Sequence, residues 1–406
     1  MKEYGHFLSE EDKLMVNTIR DFVNKELMPV RQQLDEDEDR DLVHHILDGL
    51  AKLGLHKRGL PESVGGLRTT AVSLEVGYEE VARGDSGIAM TLSIPAWVFG
   101  PAMRAHNERV INDLCPPFCR EDEFHEACQA MTEPEGGCNI EDASSRGKTI
   151  QTTARLDGEE WVINGAKRFP SGASVADVYL VTCTTNPELG EEGIALIYVP
   201  AGTPGLSFGR PENKMGMRYT DVNTDIYLDN VRVPQEYRAG WPGKDFESFR
   251  NFLSWGRLSS AAFAVGNAQA ALEIVLDFTA NRFYGGKPVR EHSLQAAMIA
   301  DMAIGVESAR FYYLTVARMF DNRKVFGPPH SEFQLSKATG AKIHACDVAV
   351  EVCNKGMQLM GSYGYMKEYN LEKYLRDCKI IQLWEGGAEL GRIDVARGYY
   401  PIRAYT

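Results

Sequence analysis

Through the first hundred positions apolar residues recur at spacings of three and four: Leu14, Ile19, Phe22, Val23 and Leu27, then Leu42, Ile46, Leu50 and Leu53. Residues at that spacing share one helix face, so the pattern predicts helices from Ser9 to Asn107. Ser9-Glu-Glu-Asp opens the first, with the serine as cap and the acids in its positive first turn. From about Glu133 to Gly240 the period falls to two. Stretches 149–156 and 160–163 flank Asp157-Gly158, and Asn164-Gly165 follows. Both pairs are hairpin-turn signals. Further short strands read at 177–183, 194–199 and 224–229 with no helical stretch between them, which predicts an antiparallel β-barrel. After Gly243 the helical period returns. Leu294, Met298, Met302, Val306, Ala309 and Tyr313 form one stripe, and similar stripes run through 249–283 and 333–360. Four long helices with short connections predict a bundle whose methionines pack its core.

A chain of 406 residues with 44% hydrophobic and 25% charged positions has material for two or three globular domains. The reading is an α+β multidomain protein: a helical domain over 1–128, a β-barrel over 129–241 and a four-helix bundle over 242–406. A net charge of −13 repels phosphate backbones and anionic membranes, so neither nucleic acid nor membrane insertion is expected. The opening MKEYGHFLSEEDK carries charge where a signal peptide needs apolar residues, and a cytoplasmic location is expected. The eight cysteines lack metal-site spacing and read as reduced thiols, with Cys115-Pro-Pro-Phe-Cys119 a stiff loop. The acidic run at 35–41 lacks the glycine and closing glutamate of a calcium loop and reads as solvated surface.

Neither a P-loop nor a GxGxxG turn is present, which disfavours a Rossmann dehydrogenase. The glycines of Val64-Gly-Gly-Leu67 and Gly361-Ser-Tyr-Gly364 read as turns between helices. The most informative stretch is 371–392, a helix running into Trp384-Glu385-Gly386-Gly387 with a second helix after it. Paired glycines break the helix there. A carboxylate at the break is either a capping or solvent-exposed glutamate, as most glutamates are, or, if the indole and its apolar neighbours desolvate it, a general base in preparation.

Met131-Thr-Glu-Pro-Glu-Gly-Gly-Cys-Asn resembles the TEPxxGSD segment of the acyl-CoA dehydrogenase family, Trp161-Val-Ile-Asn-Gly-Ala-Lys its W-x-I-N-G-x-K, and 227–234 its F-x-D-V-x-V-P strand. Arg282 through Pro288 resembles R-x-x-F-G-K-P, 358–364 resembles Q-x-x-G-G-x-G, and Trp384-Glu-Gly resembles Y-E-G. The resemblance spans essentially the whole chain. It implies a homotetramer of three-domain subunits with FAD bound between domains and across a subunit boundary. It also implies an acyl-CoA substrate and an electron-transferring flavoprotein as acceptor.

By the same resemblance Gln129, Met131, Thr132, Phe169 and Ser171 line the isoalloxazine. Arg282 and Gln358 reach FAD from a neighbouring subunit, and Gly361, Gly387 and Glu389 belong to the cofactor site. Glu385 matches the catalytic base, which takes the α-proton of the thioester while the β-hydrogen leaves as hydride to flavin N5, giving a trans-enoyl-CoA. A backbone N–H at Glu385 and a flavin hydroxyl hold the thioester oxygen, the place where enolate-like charge grows. Cys138, Arg257, Trp384 and Gly386 fall on the substrate side, Arg257 close to the base.

The chain departs from the family pattern at several of these places. Cys138 and Asn139 replace Ser and Asp, Gly285 and Ser293 replace a Phe and a Gln against the flavin, and Trp384 replaces the tyrosine before the base. Trp384 and Trp255 as bulk near the base point to a short, branched or alicyclic acyl group. Ala89 stands where relatives taking a dicarboxyl-CoA carry an arginine, which disfavours a glutaryl-type substrate. The alternatives are an enoyl-CoA reductase running the reverse reaction, an oxygen-reactive oxidase or monooxygenase of the same fold, and a scaffold without catalysis.

Overall fold

The computed structural model describes residues 5–137, 142 and 145–400. Cys138 and Asn139 lie outside them. Ser9 caps α1 (Glu10–Phe22): its hydroxyl accepts from the Asp12 N–H at 3.1 Å, and the Asp12 carboxylate accepts from the Ser9 N–H at 3.1 Å. Next come α2 (Asp41–Lys52), α3 (Ala71–Gly84), α4 (Ser86–Ala105) and α5 (Glu108–Leu114). Every residue of α3 is buried. The acidic run is not all solvated surface. Asp35 pairs with Arg376 at 2.7 Å and lies 3.4 Å from Lys373, because the segment 33–35 packs where a later helix presents those cations.

The middle of the chain forms one curled sheet from β1 (Ala127–Ala130), β2 (Thr153–Asp157), β3 (Glu160–Lys167), β4 (Val178–Thr184), β5 (Ile194–Pro200), β6 (Leu206–Phe208) and β7 (Ile226–Pro234), in the order β1-β4-β2-β3-β7-β6 with β5 on β4. The antiparallel expectation fails at β4, which takes β1 as a parallel neighbour over four residue pairs and meets β2 in parallel at Thr153 and Thr184. Asp157-Gly158 makes the β2–β3 hairpin, with Asp157 opposite Glu160. Asn164-Gly165 does not turn the chain. It is a bulge inside β3, because Gly165 takes φ 151° where a Cβ would meet Thr152 at 2.7 Å, and Asn164 Oδ1 accepts from the Asn230 N–H across the ladder.

The last part holds α6 (Lys244–Asn281), a hairpin of β8 (Phe283–Tyr284) and β9 (Lys287–Pro288), then α7 (Ser293–Asp321), the single turn α8 (Arg323–Phe326), α9 (Glu332–Met360), α10 (Leu371–Leu383) and α11 (Gly387–Arg397). The apolar stripe of α7 is buried at Met302, Val306, Ala309 and Tyr313, while Leu294, in its first turn, is exposed. Helices α4 and α6 are long and apolar enough to cross a membrane by length and composition, yet most of each is buried inside the protein. Gly266 lets α3 and α6 approach closely, since a Cβ there would come within 2.4 Å of the Glu79 carbonyl oxygen. The α6 helix therefore has α3 and α4 on one side and the rest of the bundle on the other, and the site described next lies along it.

Candidate active site

Two of the motif segments are tied together by a buried ion pair. Lys167, at the end of β3, donates to Glu133 at 2.8 Å and to the Met131 carbonyl at 3.0 Å, while Glu133 also accepts from the Gln151 and Thr152 N–H groups. Burial works against the Glu133 charge, but the lysine's proximity and the hydrogen bonds the carboxylate accepts hold it below the ordinary range. This knot fixes Met131 and Thr132 on the wall of a cavity of about 660 Å³. Phe169 follows in the left-handed region at φ 58° and leaves its ring exposed. Its carbonyl accepts from Asn223 Nδ2 at 2.7 Å, and Asn223 bridges in turn to Ser171. The cavity thus gathers Gln129, Met131, Thr132, Phe169 and Ser171 from the sheet and Trp384, Glu385 and Gly386 from the end of α10.

The break after α10 is sharp. Glu385, Gly386 and Gly387 all take positive φ, at 55°, 87° and 63°, and Glu385 does so without the freedom of a glycine. The turn swings the Glu385 carboxylate onto α6, where its side chain is 8% exposed. The absence of a side chain at Gly256 makes room, since a Cβ there would lie 2.1 Å from Glu385 Oε1. Ser260 Oγ is 3.0 Å and Lys342 Nζ 3.6 Å from Oε2, and the Trp384 ring N–H donates to Ser260 Oγ at 2.8 Å. Lys342 also donates to the Trp384 carbonyl. Burial pushes the lysine below its ordinary range, with Glu385 the largest opposing influence. A carboxylate so placed, nearly dry and on the wall of an apolar cavity, is equipped to take a proton from a weak carbon acid.

Beyond the carboxylate the wall is apolar: Met90, Ile94 and Trp97 from α4, and Phe249, Phe252 and Leu253 from α6, with Trp97 and Phe252 edge to face at 5.8 Å. The lysine on this wall, Lys214, is bonded to the Asp221 carbonyl and to Asn223, and no arginine lines the cavity among the described residues.

The family models for the acyl-CoA dehydrogenase N-terminal, middle and C-terminal domains match residues 9–122, 128–231 and 243–400. The chain belongs to the acyl-CoA dehydrogenase family. It is 33% identical to cyclohex-1-ene-1-carbonyl-CoA dehydrogenase of Geobacter metallireducens over 390 residues, 96% of this chain and 98% of that one. It is 31% identical to the CarC subunit of the caffeyl-CoA reductase-Etf complex of Acetobacterium woodii over 392 residues, again 96% and 98%. The butyryl-CoA dehydrogenase structure from Megasphaera elsdenii superposes with a TM-score of 0.85 at 28% identity, covering 97% of this chain and 98% of that one. The protein is therefore an oxidoreductase of a family that depends on FAD.

Acyl-CoA dehydrogenases need a flat, partly polar wall for the flavin, and the described residues fit one. Gln129 Oε1 is a buried acceptor without a hydrogen-bond partner, and the Phe169 ring stands open beside Thr132 and Ser171. Arg282, Gln358 and Gly361 do not join that wall. They line a second cleft with Phe278, Tyr284 and His292, where the Arg282 guanidinium lies 5.3 Å from the centre of the Tyr363 ring. Gly387 and Glu389 sit in the first turn of α11 and line neither cleft. Gly285 is one of the two glycines at positive φ in the β8–β9 turn, and Ser293 opens α7.

Two sequence expectations are corrected. Arg257 is fully buried and does not line the cavity. It donates to the Glu385 carbonyl at 3.1 Å, to Thr339 at 2.9 Å and to Asp394 at 2.5 Å, so it braces the turn carrying the carboxylate. Trp255 is no bulk beside Glu385. It faces another side of α6 and packs edge to face on Phe320 at 5.1 Å, because one step along a helix rotates a side chain by about 100° from Gly256.

Gly256, Ser260 and Lys342, like Trp97 and Phe252, belong to none of the sequence motifs. A signal existed for the lysine: Ala338, Ala341, Ala345, Cys346 and Ala349 form a buried stripe with Lys342 inside it, a charge where the helical period demands an apolar residue. Gly256 and Ser260, four apart, likewise put a gap and a hydroxyl on one face of α6.

Proposed function

We propose that this chain catalyses α,β-dehydrogenation of a short, branched or alicyclic acyl-CoA thioester with Glu385 as the base. The observation that carries the proposal is the Glu385 carboxylate, nearly excluded from water yet on the wall of a cavity that also holds the motif residues of the sheet. The thioester's acyl chain lies among Met90, Ile94, Trp97, Phe249, Phe252 and Leu253, whose aromatic rings limit length and favour compact groups. The absence of an arginine from this wall, among the described residues, supports a substrate without a distal carboxylate. Glu385 removes the α-proton, and the apolar wall keeps water from competing for the carboxylate. Bound FAD supplies the two-electron acceptance that departure of the β-hydrogen requires. Gln129, Thr132, Phe169 and Ser171 orient it from the sheet.

Arg282, Gln358 and Gly361 line a cleft separate from the Glu385 cavity, and this supports an assembly in which they reach a flavin held by another subunit, a homotetramer in our reading. An electron-transferring flavoprotein is the proposed acceptor, supported by a relative whose name places it in an Etf complex. That same name, a reductase, supports the reverse reaction as the second reading, since the same residues serve both directions.

The test is a panel of linear, branched and alicyclic acyl-CoA thioesters scored by anaerobic bleaching of the flavin. We expect the fastest bleaching with compact acyl groups, and a fall of roughly 10²–10⁴-fold in Glu385→Gln. Fastest bleaching with long linear chains would overturn the substrate class, and a wild-type rate in Glu385→Gln would overturn the base.

A further inference from the structure

Ser260 carries one hydrogen and has two acceptors within reach: the Gly256 carbonyl at 2.8 Å and Glu385 Oε2 at 3.0 Å. The Trp384 ring N–H occupies another of its sites at 2.8 Å, so the hydroxyl is pinned in place while its hydrogen is free to swing between the two. On α9, Lys342 stands 3.6 Å from the same carboxylate oxygen and is tethered to the Trp384 carbonyl, so it cannot follow if the carboxylate moves away. The other ionisable groups facing this point are Cys346, one turn along α9, and Arg257 on α6, itself paired with Asp394 of α11.

Resting on the reading of Glu385 as base, we propose that Ser260 and Lys342 are positioning residues that hold its carboxylate, with Trp384 fixing the serine through its ring N–H. Before turnover the hydroxyl hydrogen points to Oε2 and the ammonium faces it, and both favour the ionised base. When Glu385 has taken the α-proton, its new O–H donates to Ser260 Oγ and the serine hydrogen turns to the Gly256 carbonyl. Both protonation states are then satisfied by one bond rotation, with no water admitted and no heavy atom displaced. The tryptophan before the base departs from the family's tyrosine, and in this arrangement that departure is functional: the indole N–H is the group that orients the serine.

The full-length holoenzyme tests this with Ser260→Ala, Ser260→Thr, Trp384→Phe, Lys342→Met and Glu385→Gln. The readouts are the limiting rate and KM of anaerobic flavin reduction from pH 6 to 9, exchange of the acyl α-proton with D2O, and the melting temperature. Removing the hydrogen bond to the carboxylate in Ser260→Ala, or the indole N–H that orients that hydroxyl in Trp384→Phe, should slow both reduction and exchange about tenfold or more, with KM within about twofold, while Ser260→Thr stays within about threefold of wild type. Lys342→Met should move the half-maximal rate to higher pH by about one unit or more, since the ionised base loses its cation.

Wild-type rates and pH profiles in Ser260→Ala, Trp384→Phe and Lys342→Met, with Glu385→Gln inactive, would overturn the cradle and leave the base standing. A lowered melting temperature with an unchanged pH profile would overturn it equally, because that is the mark of packing alone. An active Glu385→Gln would overturn the base itself. If Lys342→Met fails to accumulate, Ser260→Ala and Trp384→Phe still decide.

Discussion

Helix α10 has a buried lysine facing carboxylates near each of its ends, and the two arrangements are built to opposite purposes. At its start, Lys373 lies 2.8 Å from Asp85, 2.8 Å from Asp377 and 3.4 Å from Asp35, and is completely buried. Asp35 and Asp85 come from the first helical domain, so this cluster rivets that domain to the bundle. At the far end, Lys342 of α9 has one carboxylate, Glu385, at 3.6 Å, and that carboxylate borders a cavity. The neighbouring acids hold the Lys373 ammonium well above the ordinary lysine range, whereas burial pushes Lys342 below it. Counter-charge in excess makes a fixed joint. A single counter-charge, with its carboxylate on a cavity wall, makes a pair that is not locked from every side.

The largest effect should come from removing the cation at each end. Lys373→Met strands buried Asp85 and Asp377 with Asp35 beside them, and should cost about 3–5 kcal/mol of stability. Lys342→Met places an unbranched apolar chain in an apolar stripe and leaves a single carboxylate that can turn toward the cavity. It should change stability by less than about 1 kcal/mol while altering the pH profile of turnover. Urea unfolding of both variants measures this. Equal losses at the two ends would erase the distinction between joint and exchange site.

Glycines sharpen the contrast, because each carboxylate sits where a side chain is missing. A Cβ on Gly216 would lie 2.4 Å from Asp377 Oδ1 and 3.2 Å from the Arg376 Cβ, and a Cβ on Gly256 would lie 2.1 Å from Glu385 Oε1. Asp377 is locked by Lys373 and cannot yield, so Gly216→Ala should cost about 1–3 kcal/mol with the rate of flavin reduction unchanged. Glu385 is the end of a flexible side chain and can yield. Gly256→Ala should therefore hold or gain up to about 1 kcal/mol, as alanine does inside a helix, while flavin reduction slows at least about tenfold from a displaced base. Paired melting and stopped-flow measurements read both quantities.

The sequence carried the broad plan because period and capping are local. The three-four spacing of α2, the Ser9 cap and the Asp157-Gly158 hairpin each depend on a few adjacent residues and were legible. Asn164-Gly165 reads as a turn because a bulge and a turn ask the same of a glycine, and only pairing with β7 distinguishes them. The parallel β1–β4 pair joins segments about fifty residues apart, a separation that alternation cannot report. Glu385 was legible because it stands at a helix break with paired glycines. Its cradle was not: Ser260 and Lys342 come from two other helices more than forty positions away. The α6 helix buries both of its long faces, so in the sequence the position facing Glu385 looks the same as the one facing Phe320, and nothing there tells which of them Trp255 takes.

The smallest effect is the one that tests the charge logic most directly, through the alkaline limb of stability. A lysine whose folded pKa exceeds 10.5 keeps its proton above that pH while the unfolded chain loses it, so stability falls as pH rises. Lys373 contributes that falling slope. A lysine whose folded pKa lies below 10.5 has released its proton while the unfolded chain still holds one, so stability rises with pH up to 10.5. Lys342 contributes that rising slope. Each slope is bounded at about 1.4 kcal/mol per pH unit for one proton. Urea midpoints between pH 9 and 11 should therefore diverge in opposite directions from wild type: Lys373→Met loses the decline above 10.5, and Lys342→Met loses the rise below it. Should both variants bend the curve the same way, the two lysines sit in equivalent electrostatic surroundings, and the number of facing carboxylates no longer separates the joint from the site.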